Sequence, residues 1–350
     1  MPGLLIHGAR QVLTLRGVSF PRRGAALRNL SIIEDGSILI EDGKIRDVGP
    51  TRRIENLAAA RSARQICARG RVVMPGFVDS HVQLVGGLDS RVIRQTPAWR
   101  LAEDAVALLR RCLRYGTTTI EVKSCSGLDE SSALKVWRMI ADLGKTQPIE
   151  VVSGRCGAQS EMSLVEEEKD AVRLGILVKT PGESPVVGGL MKAATVEHFE
   201  STTQASIARL AESSAMAVLM PGFGFHCEDH GYPPARDLIA QGVAVALASG
   251  YDRAVNPSFS MPITIELACR KLGMAPSEAI VAATLNGAYA VGRGAVTGSL
   301  EPGKNADILI LETADYRDLA YETGVNPVDI TIVRGEIVCQ NSVSYGAVAG

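Results

Sequence analysis

Between Val72 and Gly292 the chain alternates short apolar runs with amphipathic segments, and this alternation constrains its fold more than any other feature. VVMPGFVDSHVQL leads to LAEDAVALLRRCLRYG, and TTTIEVKS leads to SSALKVWRMIADLGK. PIEVVSG, ILVK, MAVLMPG and VAVALASG follow, spaced by stretches with apolar residues at helical intervals. Short β-branched runs that each feed a helical segment, with stops such as Gly116, describe parallel βα units, since a helical crossover returns the chain to the start of the next parallel strand. At least six units can be counted. They predict an α/β fold with a (β/α)8 TIM-type barrel, abbreviated by one or two units, and a doubly wound sheet is the alternative. In a barrel the chemistry lies on the loops after the strands.

The two ends read differently. LLIHGA and SIIEDGSILIEDGKIRDVG are strand-like, with Asp35-Gly36 and Asp42-Gly43 as hairpin-type turn dipeptides, and DITIVRGEIVCQ near the C-terminus turns at Arg334-Gly335. Both ends therefore contribute to one small β-sandwich, over residues 1–71 and 293–350, around a barrel at 72–292. The Pro/Gly-rich KTPGESPVVGG follows a predicted strand and belongs on the loop face.

Charge narrows the function. Lys and Arg number 37 against 38 Asp and Glu, so nothing recommends a nucleic acid or an anionic membrane as partner. No run approaches the roughly 18 apolar residues of a membrane span, and the first residues lack the basic-then-apolar layout of a signal peptide. Seven cysteines without a CxxC pair suggest neither a disulfide framework nor a zinc ribbon. These features predict a cytoplasmic protein with a small-molecule ligand.

Val73-Met74-Pro75-Gly76-Phe77-Val78-Asp79-Ser80-His81-Val82-Gln83 resembles the first-strand motif of the amidohydrolase superfamily, PG(F/L)(V/I)D-x-HxH, whose two histidines leave the strand on one side and bind a divalent metal. Further strings resemble the imidazolonepropionases, which open a five-membered cyclic amide. Gly116 to Ser124 is similar to GTTTxEVKS, and Arg209 to Gly222 to LAExGxxAVLLPG. Ala282-Ala283-Thr284-Leu285-Asn286, Gly298 to Asp307 and Tyr321 to Asn326 also fit in order. The resemblance spans nearly the whole chain and implies the barrel fold.

What it implies for chemistry is less simple, because function resides in the site and not in the fold. Of the four side chains that hold the family's metal, His81 is present, but the second histidine is Gln83, the third falls on Lys179, and the aspartate of LATDFNPG falls on Gly250. The family's acid/base glutamate falls on Gly182, with Glu183 one residue away. Lone imidazole, amide and ammonium groups do not assemble the three or four ligands a catalytic zinc or iron needs. The resemblance thus implies a catalytically degenerate paralogue without metal that binds a small cyclic amide or carboxylate through Gln159, Ser126, His198 and Asp252. Its partner would be a second copy, as a homodimer, or an active homologue, as a heteromer.

The alternative is an active hydrolase of C–N bonds in cyclic amides. It would use Lys179, His198 and Glu183, or a rewired zinc or iron site in which His226 and His230 of the ligand-rich loop FHCEDH join His81 and His198. Two further expectations come from the residues themselves. His81 is a buried imidazole hydrogen-bonded to backbone, and Glu121 and Lys123, alternating with Val122 on a strand, form an internal ion pair.

Overall fold

The computed structural model describes residues 3–17, 19–124, 128–155, 195–197, 204–227 and 231–341. Its first feature is a sheet made by both ends of the chain. Strands β1 (Leu4–Leu13), β2 (Ile32–Glu41), β3 (Lys44–Pro50), β4 (Arg64–Cys67) and β5 (Val72–Pro75) come from the N-terminal part. Ile308–Leu311, Val328–Val333 and Glu336–Gln340 come from the C-terminal part, and the first of them pairs antiparallel with β5, Pro75 against Ile308 and Val72 against Leu311.

The sheet folds over so that the turn between β2 and β3 returns to the segment just before Ile308–Leu311. Ala306 N–H donates to Gly43 O at 2.9 Å and Ile45 N–H to Lys304 O at 2.9 Å, so one sheet supplies both layers of the sandwich. Between them lie Ile6, Val12, Ile38, Ile40, Val73, Ile308, Ile310 and Ile332, all fully or almost fully buried. Burying each contributes on the order of 2 kcal/mol.

The turn dipeptides divide. Asp42-Gly43 and Arg334-Gly335 each have both residues at positive φ, as a two-residue hairpin turn requires. Asp35-Gly36 is not a turn: β2 runs through it, with Gly36 paired to Ala9 on one side and Pro50 on the other. The left-handed Asp35 (φ 45°) kinks the strand instead. Val72–Pro75, expected to open the barrel, belongs to the sandwich sheet, and the chain enters the barrel after it.

The barrel strands are parallel. β6 (Phe77–Gln83), β7 (Thr117–Ser124) and β8 (Glu150–Arg155) form one arc, and β9 (Thr195–Val196), β10 (Met216–Leu219) and β11 (Ala244–Leu247) another. The arcs join where the chain passes from β11 into β12 (Tyr251–Asp252), which pairs with β6. Ser80 Oγ donates to Leu247 O at 3.2 Å across this seam.

Helices Ala98–Arg114 and Glu130–Thr146 cover β6 and β7. Their buried residues, Leu101, Ala105, Leu108, Leu109, Cys112 and Leu113 in the first, follow the three-and-four spacing of one helical face and meet Val82, Ile120 and Val122. The second helix starts where Asp129 caps Ser132 N–H. With the even-numbered residues of β7 facing these helices, Glu121 and Lys123 face the barrel interior. Among the described residues no helix is long and apolar enough to cross a membrane.

Candidate functional site

Period-two geometry puts Asp79, His81 and Gln83 on one side of β6, and Glu121 and Lys123 on the corresponding side of β7. β9 brings Glu197, just beyond its last residue, against both strands. His81 Nδ1 lies 2.9 Å from Glu197 Oε2, Lys123 Nζ is 2.9 Å from Glu197 Oε1, and the same ammonium is 3.2 Å from Glu121 Oε2. His81 and Glu121 are fully buried and Lys123 is 3% exposed. Water screens these charges poorly, and each must be neutralised by a neighbour.

Glu197 shows the balance. Burial pushes its carboxyl up, but the His81 imidazole and the Lys123 ammonium together outweigh that and hold it well below the usual carboxylate range. Asp79 goes the other way: burial raises it to about 6 against the pull of the Ser249 and His81 N–H groups. Its Oδ1 accepts from Ser249 N at 2.9 Å, and its Oδ2 has no hydrogen-bond partner among the described residues. Asp79 thus fastens β6 to the loop after β11.

That loop carries the family's aspartate position. Gly250 N–H donates to His81 O at 3.2 Å, so the expected neighbourhood of positions 81 and 250 is real. Gln83 and Asp252 are register partners across β6 and β12. The Asp252 carboxylate, however, is turned to its own loop, with Oδ1 accepting from Ala254 N at 2.8 Å and from Val255 N at 3.3 Å.

Several expectations need correction. His81 is buried as expected, but its Nδ1 partner is the Glu197 carboxylate and not backbone. Phe225 and His226 end a short helix, Pro221–His226, where a loop was expected; His226 is exposed and meets Phe225 edge-on at 5.1 Å. Among the described residues no three His, Cys, Asp or Glu side chains gather as metal ligands, so His226 is not seen joining His81. The Glu121–Lys123 pair is present as read from the strand periodicity. Ser126, Gln159, Lys179, Gly182, Glu183, His198 and His230 lie outside the described residues. Sequence reasoning missed Glu197, although the signal was there: it stands beside His198 where the family string ADH carries an acid.

Whether these residues suit the family's metal can be judged group by group. An imidazole whose Nδ1 is tied to a carboxylate is oriented as metal-ligating histidines are, so His81 fits. Gln83 offers a neutral amide. Gly250 offers nothing, and with φ at 66° a Cβ built on it would stand 2.8 Å from Phe223 Cε2, so a carboxylate has no room there. The described residues do not fit the metal.

Comparison with known proteins places this geometry. The amidohydrolase family model matches residues 164–338. The imidazolonepropionase of Chloroflexus aggregans is 34% identical, covering 97% of this chain and 99% of its own length. That of Solibacter usitatus is 33% identical over 95% and 98%, and that of Geobacillus kaustophilus 30% identical over 99% and 100%. The first alignment runs to 425 positions against a chain of 350 residues, so at least 75 positions have no counterpart here.

Among solved structures, the Escherichia coli guanine deaminase superposes with a TM-score of 0.77 at 16% identity, covering 97% of this chain and all of the other. A zinc-bound adenosine deaminase from Xanthomonas campestris superposes with a TM-score of 0.70 at 18% identity, over 95% and 92%. At such identities these two show the shared fold alone, the TIM-type barrel with its β-sandwich. The sequence relatives show more: the chain belongs to the amidohydrolase superfamily and, within it, to the imidazolonepropionase family.

Proposed function

We propose that the chain acts on the C–N bond of a small cyclic amide, with His81 as the base that activates water. The observation that carries the reading is the His81–Glu197 pair at 2.9 Å. A neutral imidazole that donates its Nδ1–H to a carboxylate bears its lone pair on Nε2, and the carboxylate stabilises the imidazolium formed when that nitrogen takes a proton from water. Lys123 holds Glu197 in place from the other side. The names of the full-length relatives, at 30–34% identity, support the choice of substrate class.

A second reading, a ligand-binding paralogue without turnover, draws on the full burial of His81 and on the substitutions at Gln83 and Gly250. The test is loss of the ultraviolet absorbance of an imidazolone propionate on incubation with the purified chain. Turnover that falls by about 10²-fold or more in His81→Gln, and also in Glu197→Gln, supports the first reading, since a positioned base contributes roughly 10²–10⁴. Saturable binding of the imidazolone without any absorbance loss would replace it with the second.

A further inference from the structure

Two segments at the C-terminal end of the barrel interlock over the position where the family carries its aspartate. The first, the short helix Pro221–His226 after β10, brings Gly222 and the buried ring of Phe223; the second, the loop after β11, runs from Ser249 to Asn256. Asn256 is fully buried, and its Nδ2 donates to Ser249 O at 2.8 Å and Gly250 O at 3.1 Å. Asp252 and Asn256 exchange both backbone hydrogen bonds at 2.9 Å. The helix and the loop touch closely enough that a Cβ on Gly222 would lie 2.7 Å from Asn256 Nδ2, while a Cβ on Gly250 would meet Phe223 at 2.8 Å and Met220 Cβ at 3.1 Å. The carbonyls after β11, which would have to turn if a carboxylate were to leave position 250, are therefore tied down by the Asn256 amide. The Glu197 carboxylate has its partners already, in the Lys123 ammonium and the His81 Nδ1, each at 2.9 Å.

We infer that the chain has closed the family's cation site from within: Phe223 and the Asn256 amide seal the aspartate position, and Lys123 supplies the positive charge that Glu197 faces, with the His81 Nδ1–H as its second donor. The folded protein then neither holds nor needs a divalent ion at His81. This inference does not rest on the proposed cleavage of a cyclic amide, and metal content and turnover are separate measurements. Turnover by a chain with zinc at His81 overturns the inference, and His81's role as base with it, but leaves the cleavage of a cyclic amide standing. A metal-free chain without turnover does the reverse.

The experiment uses the full chain purified without chelator, incubated with zinc chloride, dialysed and assayed for metal by mass spectrometry. Its unfolding midpoint is measured with and without EDTA. Expected are less than about 0.1 zinc per chain that depends on His81, judged against His81→Gln, and a midpoint unmoved by EDTA to within about 1 °C, because an ion that binds only the folded state would raise it.

One zinc per chain that disappears in His81→Gln, or a midpoint that falls several degrees with EDTA, overturns the inference. The seal is tested by Gly250→Asp, expected to lower the midpoint by roughly 5 °C through the left-handed backbone and the clash with Phe223. Adding Phe223→Ala to it should recover part of that loss, although Phe223→Ala alone lowers the midpoint. Gly250→Asp that takes up zinc with an unchanged midpoint refutes the seal. If Gly250→Asp does not fold, the wild-type metal content and EDTA response decide alone.

Discussion

Replacing Lys123 with methionine removes one cation from between two carboxylates, and the structure allows the cost to be worked out. Lys123 Nζ sits 3.2 Å from Glu121 and 2.9 Å from Glu197. At an effective dielectric of about 20, each contact is worth roughly 5–6 kcal/mol of Coulomb attraction. Bringing the ammonium out of water costs several kcal/mol, which the variant no longer incurs, and methionine fills most of the stem's volume. The net loss expected is about 3–5 kcal/mol, the usual result of leaving buried charges without their partner. That is a large part of a total stability of about 5–15 kcal/mol.

Urea unfolding followed by tryptophan fluorescence is a suitable assay, because Trp137 is buried at 5% exposure in the helix packed on β7. The double variant Lys123→Met, Glu121→Gln restores the charge balance and should be more stable than Lys123→Met by about 1–2 kcal/mol, a coupling that two independent losses would not give. A single-variant loss below about 1 kcal/mol, or strictly additive losses, would refute the charge-balance reasoning.

Two further outcomes are expected away from the barrel mouth. Burial raises the Asp307 carboxyl, which accepts from Arg334 N–H and Thr297 Oγ. The folded state therefore binds its proton more tightly than the unfolded chain, and stability falls as pH rises from about 4 through the raised value. Asp307→Asn should gain on the wild type in urea midpoints as pH rises above about 4, and a relative loss with rising pH would contradict the assignment. Asn286→Ala should cost about 3 kcal/mol in the same assay. Asn286 is fully buried, its Oδ1 accepts from Arg22 N and its Nδ2 donates to Arg22 O and Val245 O, and the truncation strands all three backbone groups; an effect under about 1 kcal/mol would show that they find other partners.

The parts of this molecule that were legible in the sequence are those set by local periodicity. The βα alternation, the Glu121–Lys123 pair and the turns at Asp42-Gly43 and Arg334-Gly335 depend on residues a few positions apart. Asp35-Gly36 has the same local signature as the true turns, yet it lies in a strand held on both sides by β1 and β3, and that tertiary pairing overrides the dipeptide. In the same way Glu197 gains its role only when β9 is laid against β6 and β7. The significance of Gly250 could be read from its position in a family string, but the Phe223 ring that fills its place comes from the short helix after another strand.

The shared terminal sheet has a consequence for synthesis. β5 is made early, but the strand it pairs with, Ile308–Leu311, leaves the ribosome more than 200 residues later. At about 5–20 residues per second that interval lasts roughly 10–50 s, during which an apolar strand edge waits without its neighbour. Premature termination anywhere before Ile308 would leave this edge open for good, so nascent fragments should be far more prone to cling to chaperones or to one another than the finished chain.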